Sequence, residues 1–168
     1  MRIIAVIVFA AIFWTGLAAA QQSGAVSKWG SSERTTFSDG SHAVSEKWGS
    51  GTRTRFYNAD GTSSGSATTS SWGSGTRTQF YNNSGSSNGS ATTSSWGSGT
   101  RTQFYNKSGS PDGNATTSSW GNGTRTQFYN KSGSPDGSAA TSASGNGRRT
   151  NFSKPINSVE KKFAAPGK

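Results

Sequence analysis

The stretch Trp72-Gly-Ser-Gly-Thr-Arg-Thr-Gln-Phe-Tyr-Asn82 opens a unit that recurs along the chain with a period of 24 residues. A fixed period of this length marks a tandem-repeat architecture, in which one unit is too small to bury its apolar face alone and must use its neighbours. Full copies run over 48–71, 72–95, 96–119 and 120–143, opened by Trp48, Trp72, Trp96 and Trp120. A degenerate copy over 29–47 keeps Trp29, Arg34 and Phe37 at the same spacing but is five residues shorter between Phe37 and Trp48. A partial copy over 144–152 has Ser144 in the tryptophan position and retains Arg149 and Phe152. Terminal copies that depart from the pattern are expected to act as caps.

The composition limits what such units can bury. Only 29% of residues are hydrophobic, and beyond Leu17 the large aliphatic residues are Val26, Val44, Ile156 and Val159. Any core must therefore be built from aromatic rings and threonine methyls. The chain has no cysteine, which excludes disulfides, thiolate metal sites and thiol nucleophiles.

Within a unit, Thr76–Tyr81 combines β-branched and aromatic residues between glycine and asparagine and predicts a strand. Alternation puts Thr76, Thr78 and Phe80 on one face, expected to point inward, and Arg77, Gln79 and Tyr81 on the other. Turn chemistry follows in Asn58-Ala-Asp-Gly61, Ser110-Pro-Asp-Gly113 and Ser134–Gly137, so the chain is expected to reverse there. Ser90–Trp96 then reads as a return strand, and Gly97-Ser98-Gly99 as a short reversal into the next copy. The expected fold is all-β, with tandem 24-residue β-hairpin repeats forming a meander of roughly ten strands. The competing geometries are a parallel β-solenoid and a partly disordered chain. A solenoid would stack Arg53, Arg77, Arg101, Arg125 and Arg149 about 4.8 Å apart, and a meander roughly doubles that spacing. Like-charge repulsion therefore favours the meander.

The segments Tyr81-Asn82-Asn83-Ser84-Gly85 and Tyr57–Gly61 resemble the Tyr-Asp-x-x-Gly core of YD repeats, found in Rhs-type bacterial proteins, and short exported bacterial proteins built of similar hairpins. The match spans about five residues per copy. Asn replaces the usual Asp, and the Arg-Leu that often follows the glycine is absent. The resemblance implies β-hairpin repeats and an envelope or surface setting. It implies no toxin function.

Outside the repeats, Met1–Ala20 reads as a secretory signal peptide. Arg2 leads, Ile3–Trp14 is apolar, and Ala18-Ala19-Ala20 offers a cleavage pattern. The apolar run is too short for a spanning helix, so no membrane-crossing segment is expected after cleavage. Residues 21–28 read as a linker, 29–152 as the β-repeat domain, and 153–168 as a basic disordered tail with Lys154, Lys161, Lys162 and Lys168. The expected location is exported: periplasmic, cell-surface or extracellular.

Enzymatic patterns are scarce. His42 is the single histidine, the seven acidic residues are scattered, and no triad, paired-carboxylate site or phosphate-binding loop can be assembled. A non-enzymatic protein without cofactor or metal is expected. Calcium is disfavoured because each copy offers at most one acid. Asn-x-Ser/Thr triplets, such as those at Asn82 and Asn106, are explained by composition. Ice binding by Thr-x-Thr arrays is a distant alternative, since the middle residue of each triplet is an arginine that would have to be buried.

The net charge of +10 instead points to polyanionic neighbours. The candidate binding residues are Arg53 and Tyr57 in the first full copy, Arg77, Gln79 and Tyr81 in the second, Arg101, Gln103 and Tyr105 in the third, and Arg125, Gln127 and Tyr129 in the fourth. Each arginine offers a donor fork for phosphate or carboxylate, and each tyrosine a stacking surface. The bland alternative pairs Arg with Tyr as a solvated cation–π contact. Trp48, Trp72, Trp96 and Trp120 have two readings, stacking on sugar rings or packing against Phe56, Phe80, Phe104 and Phe128 to lock repeats together. Packing is the favoured one. These patterns point to multivalent weak binding to an anionic envelope polymer or glycan. The alternative is a structural, self-associating matrix protein, and nucleic acid is disfavoured for an exported chain.

Overall fold

A computed structural model of the chain describes residues 24–144 and 147–153. The expected leader, and the expected tail apart from Ser153, lie outside the described residues. Twelve strands follow one another: β1 Gly24–Trp29, β2 Ser32–Phe37, β3 His42–Trp48, β4 Gly51–Tyr57, β5 Ser63–Trp72, β6 Gly75–Asn82, β7 Ser87–Trp96, β8 Gly99–Tyr105, β9 Pro111–Trp120, β10 Gly123–Tyr129, β11 Pro135–Ser144 and β12 Gly147–Phe152. Each pairs antiparallel with its neighbours in sequence. β1 then pairs antiparallel with β12 through Gly24↔Thr150, Ala25↔Arg149 and Val26↔Arg148.

The all-β expectation holds. The expected meander and its solenoid alternative are corrected, because the sheet closes into a barrel. The expected capping role of the end copies changes with it. Their strands are joined to each other, and a closed sheet leaves no free edge to cap. β1 also begins inside the stretch expected to be a linker.

The interior explains the closure. Phe37, Phe56, Phe80, Phe104, Phe128 and Phe152 lie one per hairpin, on the even-numbered strands, and are 0–5% exposed. Opposite them stand small residues. Phe80 faces Ala67 on β5 and Gly89 on β7, and the same Phe–Ala pairing recurs at Ala43↔Phe56, Ala91↔Phe104, Ala115↔Phe128 and Ala139↔Phe152. Large rings on alternate strands interdigitate with the Ala and Gly positions between them and form one buried cluster.

One step along the strands lies a second layer of cross-strand hydroxyl pairs. Thr69–Thr78, Thr93–Thr102, Thr117–Thr126 and Thr141–Thr150 meet at 2.8 Å, and Ser45–Thr54 at 2.9 Å. Each pair satisfies two inward hydroxyls that would otherwise cost energy to bury. The second threonine of each Thr-x-Thr triplet thus turns its hydroxyl into the barrel, with Thr54, Thr78 and Thr126 only 1–3% exposed.

The barrel has two chemically distinct ends. At one end the Trp-Gly-x-Gly reversals join strands in two residues, with Trp72 pairing Gly75. Gly73 there takes φ +54°, as tight hairpin turns demand. Gly75 is required for a different reason: a Cβ on it would sit 1.9 Å from the Thr93 carbonyl oxygen.

At the other end, asparagine builds the turns. Asn82 N–H donates to Ser86 O at 3.0 Å, and its Oδ1 accepts from Ser86 N at 2.8 Å. The reversals expected at Ser110–Gly113 and Ser134–Gly137 are corrected. The turns occupy Asn106–Ser110 and Asn130–Ser134 instead. Pro111-Asp112-Gly113 opens β9 with a β-bulge, Tyr105 pairing Pro111 and Gln103 pairing Asn114. Proline is tolerated at a strand's first residue, and the bulge accommodates Gly113 at φ +114°. Gly24 and Phe152, the outer bounds of the barrel strands, both lie at this asparagine end.

Removing one phenyl from the ring should be costly. Phe80→Ala is expected to lower unfolding free energy by about 3–5 kcal/mol, read from the urea midpoint. A loss under about 1 kcal/mol would mean that the ring is not the core.

Candidate functional site

With Phe and Thr turned inward, the outer wall carries the residues between them. On β6 these are Arg77, Gln79 and Tyr81, facing Ser70, Thr68 and Ser66 on β5. Arg, Gln, Ser and Thr at mid-height differ from the apolar band of a lipid-embedded barrel.

The three outward side chains do not act as one strip. Gln79 is committed to the fold: its Nε2 donates to the bulge carbonyl of Gly89 at 2.7 Å and to Ser87 Oγ at 2.7 Å. Gln103 and Gln127 bind Gly113 O and Gly137 O in the same way, each at 2.7 Å. These amides brace the bulge across two strands. Tyr81, Tyr105 and Tyr129 stand half-buried nearer the asparagine end, opposite Ser66, Ser90 and Asn114. The first full copy differs. Tyr57 stacks on His42 with ring centroids 4.8 Å apart and planes at 13°, and Arg55, in the glutamine position, pairs with Glu46 at 2.8 Å.

The arginines turn the other way, toward the tight-turn end. Arg53, Arg77, Arg101 and Arg125 lie over the rings of Trp48, Trp72, Trp96 and Trp120, each with its guanidinium carbon 5.1 Å from the ring centroid. The expected packing of tryptophan against phenylalanine is corrected. The four indoles stand outside the barrel, 55–61% exposed, while Phe56, Phe80, Phe104 and Phe128 are buried. The reason is register. The two-residue turn pairs Trp72 with Gly75, which sets Ala67 opposite Phe80 and leaves Trp72 on the face of Ser70 and Arg77. The tight turn and the odd, five-residue separation of Trp72 from Ala67 already carried this signal in the sequence.

The result is a belt around one rim of the barrel, in which an aromatic face and a cation repeat on every hairpin. Successive pairs are two strands apart, or about 10 Å. None of the four arginines makes a salt bridge among the described residues. A guanidinium that stacks by its face keeps an N–H edge for an oxyanion, and an exposed indole offers a flat apolar surface.

Beside the last pair the wall opens into a shallow groove of about 270 Å³, lined by Trp120, Arg125, Ala140, Asn151 and Ser138 among others. Ala140 faces Arg125 where Thr68, Thr92 and Thr116 face the earlier arginines. The smaller side chain leaves room beside the pair.

No protein-family model matches this chain, and no curated protein matches it significantly.

Two measurements follow from this geometry. Trp72→Ala should cost less than about 1 kcal/mol, the worth of an exposed cation–π contact. A loss comparable to that of Phe80→Ala would return tryptophan to the core. The second concerns His42, whose pKa lies below the ordinary 6.5 because of burial and the nearby Arg34 charge. A depressed folded pKa means that the unfolded chain takes up the proton first. The stability tied to neutral His42 is complete above about pH 6.5 and declines as the pH falls through it. His42→Asn, which places the amide found at Asn114 in the corresponding site, should flatten the melting temperature between pH 7 and pH 5. An unchanged slope would remove His42 from the account.

Proposed function

We propose that this chain is an exported, non-enzymatic β-repeat protein of a bacterial envelope or surface that binds an anionic polymer or glycan through many weak, equivalent contacts. The observation that carries the reading is the belt of four Arg–Trp stacks with the same 5.1 Å geometry and half-exposed indoles. Each stack joins the two chemistries an acidic sugar requires. The indole takes the C–H face of a pyranose ring, and the guanidinium takes a carboxylate, sulfate or phosphate. The net charge of +10 adds long-range attraction for a polyanion. Identical sites in tandem convert weak single contacts into avidity. Gly24 and Phe152, the outer-bound strand residues, lie at the end of the barrel opposite the belt.

The self-associating matrix alternative has less support, because strand-to-strand assembly needs an open sheet edge and the barrel has β1 and β12 joined. Ice binding loses support because the second threonine of each triplet bonds across the strands inside the barrel, which leaves no outward Thr-x-Thr face.

Retention of the mature chain on an immobilised polyuronate should decline steeply as sodium chloride is raised from low ionic strength through 0.5 M. The combined Arg77→Ala, Arg101→Ala and Arg125→Ala variant should bind at least about tenfold more weakly. Retention that ignores both salt and these substitutions would refute the reading.

A further inference from the structure

The belt does not lie on a flat face. β4 and β10, which carry Arg53 and Arg125, are six strands apart in either direction around the twelve-stranded barrel. Topology alone therefore sets the Arg53–Trp48 and Arg125–Trp120 pairs on opposite walls, pointing away from each other. The Arg77–Trp72 and Arg101–Trp96 pairs, on the β5–β6 and β7–β8 hairpins, sit side by side between them. A stiff polymer strand passing one wall meets adjacent pairs about 10 Å apart, and the opposed pair stays out of its reach. Avidity for any one polymer chain draws only on the pairs that face it, so four sites spread around half the barrel divide between two directions.

We propose that the protein is a bridging module that holds two anionic polysaccharide chains at once, one on each side of the barrel rim. The inference rests on the glycan-binding reading above and specifies its geometry. Each wall contributes indole and guanidinium in the same order, so both chains are of the same class. The closed sheet supplies the rigidity that keeps the two directions fixed. A flexible linker between two sites would let both fold onto one chain.

The test is a two-layer capture assay with sodium polygalacturonate as probe. The mature protein is loaded on immobilised polymer, washed, and offered fluorescent polymer in solution. Two variants each retain two pairs. One carries Trp72→Ala, Arg77→Ala, Trp96→Ala and Arg101→Ala, leaving the opposed pairs. The other carries Trp48→Ala, Arg53→Ala, Trp120→Ala and Arg125→Ala, leaving the adjacent pairs. Matching far-UV circular dichroism and melting temperature confirm that both fold. Measured per molecule of protein held on the first layer, the wild type and the opposed-pair variant should capture the second layer, the variant holding less of the first because one pair faces each polymer. The adjacent-pair variant should bind the first layer yet capture at least about tenfold less of the second. Equal second-layer capture by the two variants, or wild type that binds the first layer and captures none of the second, would overturn bridging while leaving glycan binding intact. Absence of first-layer binding would overturn the glycan reading and bridging together. Capture of single-stranded DNA alone, with no polygalacturonate captured, would overturn the polysaccharide assignment.

Discussion

The fold depends on one packing constraint: a single phenylalanine per hairpin must be buried in a chain with almost no other large apolar side chains. One phenyl transferred from water is worth roughly 1.5–3 kcal/mol, but only if something covers it. A flat sheet with one ring on every second strand would leave those rings to solvent unless a second layer lay over them. This chain supplies no second layer among its described residues. Closing the sheet makes each ring the cover for the others, and the alanine and glycine positions between them give the rings room. β1 and β12 meet because six hairpins complete the ring, so the edges that would recruit other strands are consumed internally.

The rest of the repeat serves that ring. The hydroxyl pairs at 2.8–2.9 Å fill the next level with groups small enough to fit and polar enough to bond one another. The bulge at Gly89, and its equivalents Gly113 and Gly137, shifts the register between a four-residue asparagine turn and a two-residue glycine turn. Gln79, Gln103 and Gln127 hold that bulge from outside. A residue on the wall can therefore be structural without touching the core, and these glutamines exchange an apparent binding role for a bracing one.

The same closure creates the surface to which function is assigned. Strand alternation that turns the phenylalanines inward turns Arg77, Gln79, Tyr81 and their equivalents outward, and the tight turn adds a tryptophan beside each arginine. Neither residue of the Arg–Trp pair is needed inside, and the barrel would close around its phenylalanines without it. A recurrent feature that the core does not require is the natural place for selection on binding. Its spread around half the rim is the feature on which the proposal of two bound polymer chains, and not one, rests.

The sequence by itself determined the all-β class, the inward Thr–Phe face, the outward Arg, Gln and Tyr positions, and the turn at Asn58–Gly61. These follow from two-residue alternation and local turn chemistry, which need no partner. The place of tryptophan was also legible, because the two-residue turn between Trp72 and Gly75 fixes the parity of the return strand; a general preference for burying indole concealed it. Tertiary structure decided the rest. Whether Pro111-Asp112-Gly113 is a turn or a bulge depends on the strand opposite it, and proline–glycine chemistry suits both. Whether the hairpins remain an open row or close is set by strand count, twist and the space six phenyl rings fill together, and these are properties of the whole ring. The opposition of the first and last Arg–Trp pairs exists only once that ring is closed.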